Sequence, residues 1–342
     1  MSPTHHAARI EDRLHGLLEA RLVARGWTPH LTPYVGYGGA GWVRVLARVL
    51  LAPPRTPREA RPERRGWRRF TSVSADGIEV TVQVGEATHV VTSGRDGYVD
   101  VRLPCDLPPG WGSVELSVGD TPPVTAPVRI VGDGTTYGIL SDVDDTVIVT
   151  MLPKPLLAFR NAFLVHESAR RPVPGMAALY ADVLAAHPDA AVVYLSTGAW
   201  NTAGALGDFL DRNGYPPGPL LLTDWGPTAE GWFRSGRAHK HAQLERLFAD
   251  LPQVRWLLVG DDGQHDPTIY AEAAQAHPDR VRAIAIRQLS VGEQLAHHGL
   301  PTGPDALTDA ATEGGTPAVW APDGAGLRAA LEDRGLLRRG SP

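Results

Sequence analysis

Two acidic runs, each placed shortly after an apolar stretch, have the residue types and spacing for phosphoryl chemistry. Asp142 and Asp144 follow the stretch 137–140, and Asp261 follows the stretch 256–259. A carboxylate can attack phosphorus to form an aspartyl-phosphate, while a second acid nearby protonates the leaving oxygen and later activates water. Asp142 and Asp144 have the spacing for these two roles, nucleophile and acid/base.

The same acidic side chains indicate a bound cation. Asp145 and Asp262 lie beside the two runs, and Asp266 follows the second of them. Carboxylates cannot lie close together in ionised form unless a cation offsets their repulsion. Because an all-oxygen set of ligands suits Mg²⁺ better than zinc, we expect Mg²⁺ at this site.

A phosphoryl group brings negative oxygens, which need donors held in fixed positions. Ser196 follows the apolar run 192–195, and its hydroxyl can donate to such an oxygen. Lys240 can supply an ammonium group in a chain whose positive charge is almost entirely arginine. Ser196 and Lys240 are therefore candidate phosphate-binding residues, and Thr146 and Thr197 are further candidates.

From residue 136 the sequence alternates between strand patterns and helix patterns. The predicted strands cover residues 137–142, 190–195, 220–222, 254–259, 281–286 and 318–320, and the predicted helices cover residues 175–186, 202–213, 237–250, 267–276 and 325–335. This alternation predicts βαβ units and a mainly parallel sheet. Ligands bind at the carboxyl ends of such strands, where Asp142, Ser196 and Asp261 are expected to meet.

The part of the chain before residue 136 has a different pattern. Apolar residues spaced by three and four predict a helix over residues 9–25. Short β-type segments follow, separated by turn residues such as 94–97, and they predict a small β-sandwich. We therefore expect an N-terminal helix in residues 1–30, a β-sandwich domain in residues 31–135 and an α/β domain in residues 136–342.

Composition excludes several other classes of protein. The net charge of −5 provides no basic field for nucleic-acid binding. No run approaches the roughly 18 apolar residues of a membrane-spanning helix, and the N-terminus lacks a signal-peptide pattern. With Cys105 as the single cysteine, these features predict a cytoplasmic protein, with peripheral membrane contact as an alternative if the substrate is a lipid. The sequence specifies no oligomeric state.

The motifs, in their order, resemble those of phosphatases of the haloacid dehalogenase (HAD) superfamily. They are Asp-x-Asp-x-Thr at 142–146, Ser196 after a strand, Lys240, and Gly-Asp-x-x-x-x-Asp at 260–266. Residues 141–147 and 260–270 look more closely like the catalytic domain of the actin-patch-associated phosphatidate phosphatases. Residues 36–38 and 44–50 also resemble the amino-terminal part of bacterial members.

This resemblance implies a Rossmann-like catalytic domain and a Mg²⁺-dependent enzyme that hydrolyses phosphatidate to diacylglycerol and phosphate. It assigns Asp142 as the nucleophile and Asp144 as the acid/base, with Ser196 and Lys240 holding the phosphoryl oxygens. The Mg²⁺ ligands that it implies are the Asp142 side chain, the Asp144 backbone carbonyl and Asp261, with Asp262 or Asp266 close behind.

Alternatives stay open for the substrate. The run 195–200 departs from the asparagine-serine-proline pattern more frequent in the family, which leaves a soluble phosphomonoester as a second substrate class. The apolar segment 151–165 can form a flap that meets a lipid or a cap that packs on the core. Segment 55–69 holds seven arginines and can contact anionic lipid or form a solvated loop. A lipid-surface binding module without turnover is the alternative from another functional class.

Overall fold

The computed structural model describes residues 21–53, 73–149, 171–223, 236–263, 265–290, 293 and 315–338. The chain divides into two compact units, the first ending at Gly132 and the second beginning at Asp133. Most of the predicted N-terminal helix lies outside the described residues, as do the apolar segment 151–165 and nearly all of the arginine-rich segment 55–69.

The first unit is built around a mixed sheet of nine strands. Its strands are β1 (Thr28–Pro33), β2 (Gly36–Gly39), β3 (Trp42–Ala52), β4 (Val73–Ser74), β5 (Glu79–Val84), β6 (Ala87–Thr92), β7 (Tyr98–Pro104), β8 (Gly110–Ser117) and β9 (Val124–Ile130). Alternate residues enter one hydrophobic core, such as Val43 and Val45 of β3 and Val80 and Val82 of β5. This alternation follows from the opposite directions of successive side chains in a strand.

The strands of this unit follow the order β1-β3-β2-β9-β8-β5-β6, and β4 and β7 also pair with β3. Strand β3 is eleven residues long, which gives it room for partners along both edges. The predicted β-rich domain is therefore present, and hydrogen bonds link its strands into one sheet. The arrangement of two separate sheets in a sandwich stays a prediction.

The second unit is an α/β domain. Its strands are β10 (Tyr137–Asp142), β11 (Ile148–Val149), β12 (Arg171–Pro172), β13 (Ala191–Ala199), β14 (Leu220–Thr223), β15 (Arg255–Asp261), β16 (Val281–Arg287) and β17 (Ala318–Ala321). Six of them form a sheet in the order β14-β13-β10-β15-β16-β17, and every pairing in it is parallel. The predicted parallel sheet is confirmed.

In the described part of this unit, five α-helices alternate with these strands. They are α1 (Met176–Ala186), α2 (Ala203–Arg212), α3 (Gly236–Asp250), α4 (Asp266–Ala276) and α5 (Gly324–Asp333). Local chemistry explains some of their ends: the Asp323 side chain accepts a hydrogen bond from the Gly326 amide and caps α5, and proline occupies the first turn of α4. Among the described residues, no helix has both the length and the apolar character needed to cross a membrane.

Candidate active site

The register of the parallel sheet brings the polar strand ends together. Strand β10 lies between β13 and β15, with Asp142 opposite Leu195 and Ser141 opposite Val259. Ser196 therefore lies one residue beyond the level of Asp142 on one side, and the end of β15 reaches the same level on the other. Consecutive residues of these strands are buried, so both faces of the sheet are covered, as is usual for parallel strands between helices.

Lys240 links two of the acids. It lies on α3 and is 7% exposed, and its Nζ is 2.7 Å from Asp142 Oδ1 and 2.5 Å from Asp266 Oδ1. Asp142 is only 3% exposed and Asp266 1%. The ammonium group therefore joins the end of β10 to the start of α4 within the buried part of the site.

Asp144 has its own contact with the second strand end. The Ser196 hydroxyl donates to Asp144 Oδ2 over 3.1 Å and accepts a hydrogen bond from the Gly198 amide over 2.9 Å. Both side chains are buried. Because the Gly198 amide orients the hydroxyl, Ser196 holds the Asp144 carboxylate close to the level of Asp142.

The end of β15 supplies further carboxylates with separate surroundings. Asp261 Oδ1 accepts a hydrogen bond from the Gly263 amide over 2.7 Å, whereas Asp262 Oδ1 accepts from the Leu289 amide over 2.8 Å. Ligand atoms of Asp142, Asp261 and Asp266 all lie within 4.8 Å of one another. Asp261 therefore contributes to the acidic cluster, while Asp262 is engaged with the segment that follows β16.

Burial and like charges determine the electrostatics of the cluster. Burial raises the pKa of Asp142 well above its usual value; Lys240 opposes this rise, and Asp266 and Asp144 add to it. The pKa of Asp261 is also raised, first by burial and then by Asp266, Asp142 and Asp145. Nearby positive charge favours the ionised form of a carboxyl group, so a cation beside Asp142 and Asp261 would reverse these shifts.

The residues present fit a magnesium ion. The three clustered side chains offer only carboxylate oxygens, the donors that Mg²⁺ prefers. Asp266 Oδ2 is buried and has no hydrogen-bond partner among the described residues, which leaves an oxygen available to a cation. Histidine and cysteine, the usual additions in a zinc site, are not members of this cluster.

Two glycines allow the helices to approach the strand ends. A Cβ atom on Gly260 would lie 2.6 Å from Asp266 Oδ2, and a Cβ atom on Gly236 would lie 2.7 Å from Thr197 Cγ2. Both distances are shorter than real contacts, so a side chain at either position would force Asp266 or Thr197 to shift. Gly260 thus permits Asp266 to lie against β15, and Gly236 permits the start of α3 to lie against β13.

Known proteins are similar to this chain over the second unit, which contains the site. Residues 137–288 match the family described as phosphatidate phosphatase APP1, catalytic domain. The second unit is therefore similar to this catalytic domain over residues 137–288. Phosphatidate phosphatase APP1 of Saccharomyces cerevisiae is 29% identical over 152 residues, which are 44% of this chain and 25% of the yeast protein. An uncharacterised Schizosaccharomyces pombe protein, C29B5.04c, is 24% identical over 152 residues, which are 44% of this chain and 25% of that protein. The match thus spans about a quarter of the length of these curated relatives.

Two solved structures resemble the chain more distantly. The HAD domain of the effector Lem4 from Legionella pneumophila is 14% identical with a TM-score of 0.30, covering 52% of this chain and 93% of that one. A phosphonoacetaldehyde hydrolase-like protein from Oleispira antarctica is 13% identical with a TM-score of 0.33, covering 61% and 97%. TM-scores this low carry no argument about fold or activity.

The second unit brings most of the predicted site residues together. Asp142, Lys240 and Asp266 form one ion-paired chain, and Ser196 contacts Asp144. Thr146 is fully buried, and its hydroxyl has no hydrogen-bond partner among the described residues. The predicted roles of all these residues, including Thr197, remain predictions.

Some residues around the site were absent from the sequence prediction. Tyr180 of α1 is buried, and its hydroxyl lies 2.6 Å from the hydroxyl of Ser141, directly before Asp142. Arg287 ends β16 and donates from Nη1 to the backbone carbonyl of Asp145 over 2.8 Å. Arg287 follows a largely apolar run, as Asp142 and Asp261 do, but a basic residue at a strand end does not by itself indicate phosphoryl chemistry. Tyr180 lies within a helix and has no comparable signal.

Proposed function

We propose that this chain is a Mg²⁺-dependent phosphatidate phosphatase that acts through an aspartyl-phosphate on Asp142. One observation carries the proposal: a buried carboxylate, Asp142, is ion-paired with a buried ammonium, Lys240, and lies two residues before a second buried acid, Asp144. The family match over residues 137–288 supports the same chemistry.

The proposed reaction has two steps. A carboxylate oxygen of Asp142 attacks phosphorus and forms a new P–O bond, while the ester P–O bond breaks and the leaving oxygen takes a proton from Asp144. Asp144 then removes a proton from a water molecule, which attacks the phosphorus of the aspartyl-phosphate. Cleavage of the bond to Asp142 releases inorganic phosphate and restores both carboxyl groups to their starting states.

Lys240 and Ser196 prepare the site for a negatively charged group. Burial lowers the pKa of Lys240, but Asp142 and Asp266 raise it by more, so Lys240 keeps its proton. A buried ammonium already in place stabilises developing charge without reorganisation. We assign the binding of the substrate's phosphoryl oxygens to Lys240, Ser196, Thr146 and Thr197.

Asp142, Asp261 and Asp266 would hold the magnesium ion, with the Asp144 backbone carbonyl assigned to it by family resemblance. When bound, Mg²⁺ supplies positive charge that offsets the carboxylates and the phosphoryl oxygens. Asp262 lies outside this set because its carboxylate is not one of the three whose oxygens lie within 4.8 Å of one another.

Magnesium should bind the wild-type protein and should bind Asp261→Asn at least about tenfold more weakly, because one charged ligand is lost. Calorimetry with Mg²⁺ alone measures this directly. Thermal unfolding gives a second readout, since an ion present at about 100 times its Kd stabilises the folded state by about 2.7 kcal/mol. Asp262→Asn is the matched control, because the asparagine oxygen still accepts from Leu289, and it should leave the affinity within about twofold. Equal weakening by both variants would contradict the proposed ligand set.

Phosphatidate as the substrate comes from the yeast relative, so it needs its own experiment. Phosphate release from phosphatidate in mixed micelles should require Mg²⁺ and should exceed release from a panel of soluble phosphomonoesters by about tenfold in kcat/KM. A preference for soluble esters would contradict phosphatidate as the substrate and would leave the proposed phosphoryl-transfer mechanism unaffected. Binding to vesicles without any phosphate release would instead support a lipid-surface module without turnover. A cytoplasmic location with contact at a membrane surface is part of the same proposal.

A further inference from the structure

Arg287 connects three separate segments of the second unit from a buried position. It is the last residue of β16 and is 5% exposed. Its Nη1 donates to the Asp145 carbonyl over 2.8 Å, its Nη2 to Glu293 Oε1 over 2.7 Å and its Nε to the Pro322 carbonyl over 3.2 Å. All three nitrogens of the guanidinium group therefore have a partner.

The segment that Arg287 contacts has an unusual backbone. Asp145 has a φ of 57°, in the left-handed region that residues with a Cβ atom seldom adopt. The turn closes through hydrogen bonds from the Val147 and Ile148 amides to the Val143 carbonyl, and from the Asp145 amide to the Ile148 carbonyl. Aspartate adopts this conformation more often than most residues with a Cβ atom, but at a cost, so contacts from outside the turn help to stabilise it.

The turn bears directly on the chemistry, because Asp144 immediately precedes the left-handed residue. The Asp145 carbonyl belongs to the peptide between Asp145 and Thr146, so loss of the Arg287 contact would let the φ and ψ angles of Asp145 change and the turn shift the Asp144 carboxylate relative to Asp142. On its other side, the Asp144 carboxylate accepts a hydrogen bond from Ser196. The Arg287 contact thus acts on the backbone of the turn, while Ser196 acts on the side chain.

We propose that Arg287 is a positioning residue for the acid/base step: its hydrogen bond to the Asp145 carbonyl maintains the turn 143–148 and with it the orientation of the Asp144 carboxylate. This inference rests on the proposed function. Glu293 completes the arrangement, because its carboxylate offsets the buried guanidinium charge and also accepts hydrogen bonds from the Ser290 amide and hydroxyl.

A guanidinium group suits this position better than an ammonium group. Its planar donors reach three acceptors in fixed directions, whereas the single nitrogen of lysine cannot occupy all three places. Arg287→Lys should therefore retain the positive charge beside Glu293 and lose part of the hydrogen bonding that maintains the turn. The two substitutions, to lysine and to alanine, separate charge from geometry.

The test measures kcat, KM and amide hydrogen exchange for wild type, Arg287→Ala, Arg287→Lys and Arg282→Ala. Arg282 is the matched control, since it lies on the same strand and its guanidinium packs over the Tyr137 ring. We expect Arg287→Ala to lower kcat by about 10- to 100-fold with KM within about twofold, the size of loss that follows a misplaced catalytic group. Arg287→Lys should fall between wild type and alanine, and Arg282→Ala should match wild type.

Amide exchange in metal-free protein gives a readout that does not depend on turnover. In Arg287→Ala, peptides covering 143–148 should exchange at least about tenfold faster, while those covering α1 keep the wild-type rate. An unchanged kcat in a folded Arg287→Ala protein, or equal acceleration of exchange throughout the second unit, would overturn the proposal. If the alanine variant does not fold, kcat and amide exchange of Arg287→Lys test the proposal in the same way. Absence of turnover in wild type would refute the proposed function alone, because the exchange comparison still tests Arg287.

Discussion

Asp142→Asn should reduce phosphate release by roughly 10⁴- to 10⁶-fold, the range expected when a covalent nucleophile is removed. An amide nitrogen or carbonyl oxygen cannot replace the attacking carboxylate, although asparagine has almost the same shape. The loss should appear in kcat, because binding of the phosphoryl group by Lys240 and Ser196 is retained. Phosphate release under saturating substrate, with and without Mg²⁺, measures this effect.

A labelling experiment distinguishes loss of the nucleophile from general damage. Wild type quenched during turnover of a phosphate-labelled substrate should retain protein-bound label that hydroxylamine removes, as expected of an acyl phosphate, and Asp142→Asn should retain none. Asp279→Asn is the matched control, since it makes the same chemical change at an exposed aspartate outside the site. Turnover of Asp142→Asn within about tenfold of wild type would refute the assignment of Asp142.

Lys240→Met should lower kcat/KM by on the order of 100- to 1,000-fold, the range seen when a preorganised donor to the reacting group is removed. Methionine retains the length and apolar stem of lysine, so the change removes the ammonium with little loss of packing. Arg237→Met provides the control on the same helix, because Arg237 is exposed and pairs with Glu272 at the surface. We expect Arg237→Met to retain wild-type turnover.

The same substitution should change how stability depends on pH. Lys240 lowers the pKa of Asp142, so its removal places that pKa still further above the unfolded value of about 3.9. The folded state then holds a proton that the unfolded chain releases, and the free energy of unfolding falls as pH rises from the unfolded pKa through the folded one. Metal-free Lys240→Met should thus lose more stability than wild type as pH rises from the unfolded pKa of about 3.9 through the raised folded values, which denaturant titrations measure. Parallel pH profiles for the two proteins would contradict the electrostatic role assigned to Lys240.

Several features of the site follow from sequence alone because parallel sheets have a simple geometry. Apolar runs before Asp142, Ser196 and Asp261 predicted strands, and the carboxyl ends of parallel strands meet at one edge. The observed strands β10, β13 and β15 confirm that placement. The pattern of the first unit was less informative, because the same alternation of apolar residues is compatible with one folded sheet or with two packed sheets.

The directions of individual side chains required the tertiary structure. Asp261 and Asp262 are neighbours in sequence, yet one joins the acidic cluster and the other binds the Leu289 amide. Asp261 is the last residue of β15 and Asp262 the first residue after it, so the position of each carboxylate depends on how the chain leaves the strand. Sequence reasoning kept both as candidate ligands because it does not determine where β15 ends or what packs beside it.

What the sequence by itself determined about this protein is the set of acids, hydroxyl and ammonium at the predicted strand ends and helix start, together with the parallel sheet that aligns them. Only the tertiary structure decided that Lys240 joins Asp142 to Asp266 and that Arg287 supports the turn at Asp145. The physical reason is the range of the interactions. Strand patterns depend on neighbouring residues, whereas these contacts depend on how closely α3 and α4 approach the sheet, which Gly236 and Gly260 permit.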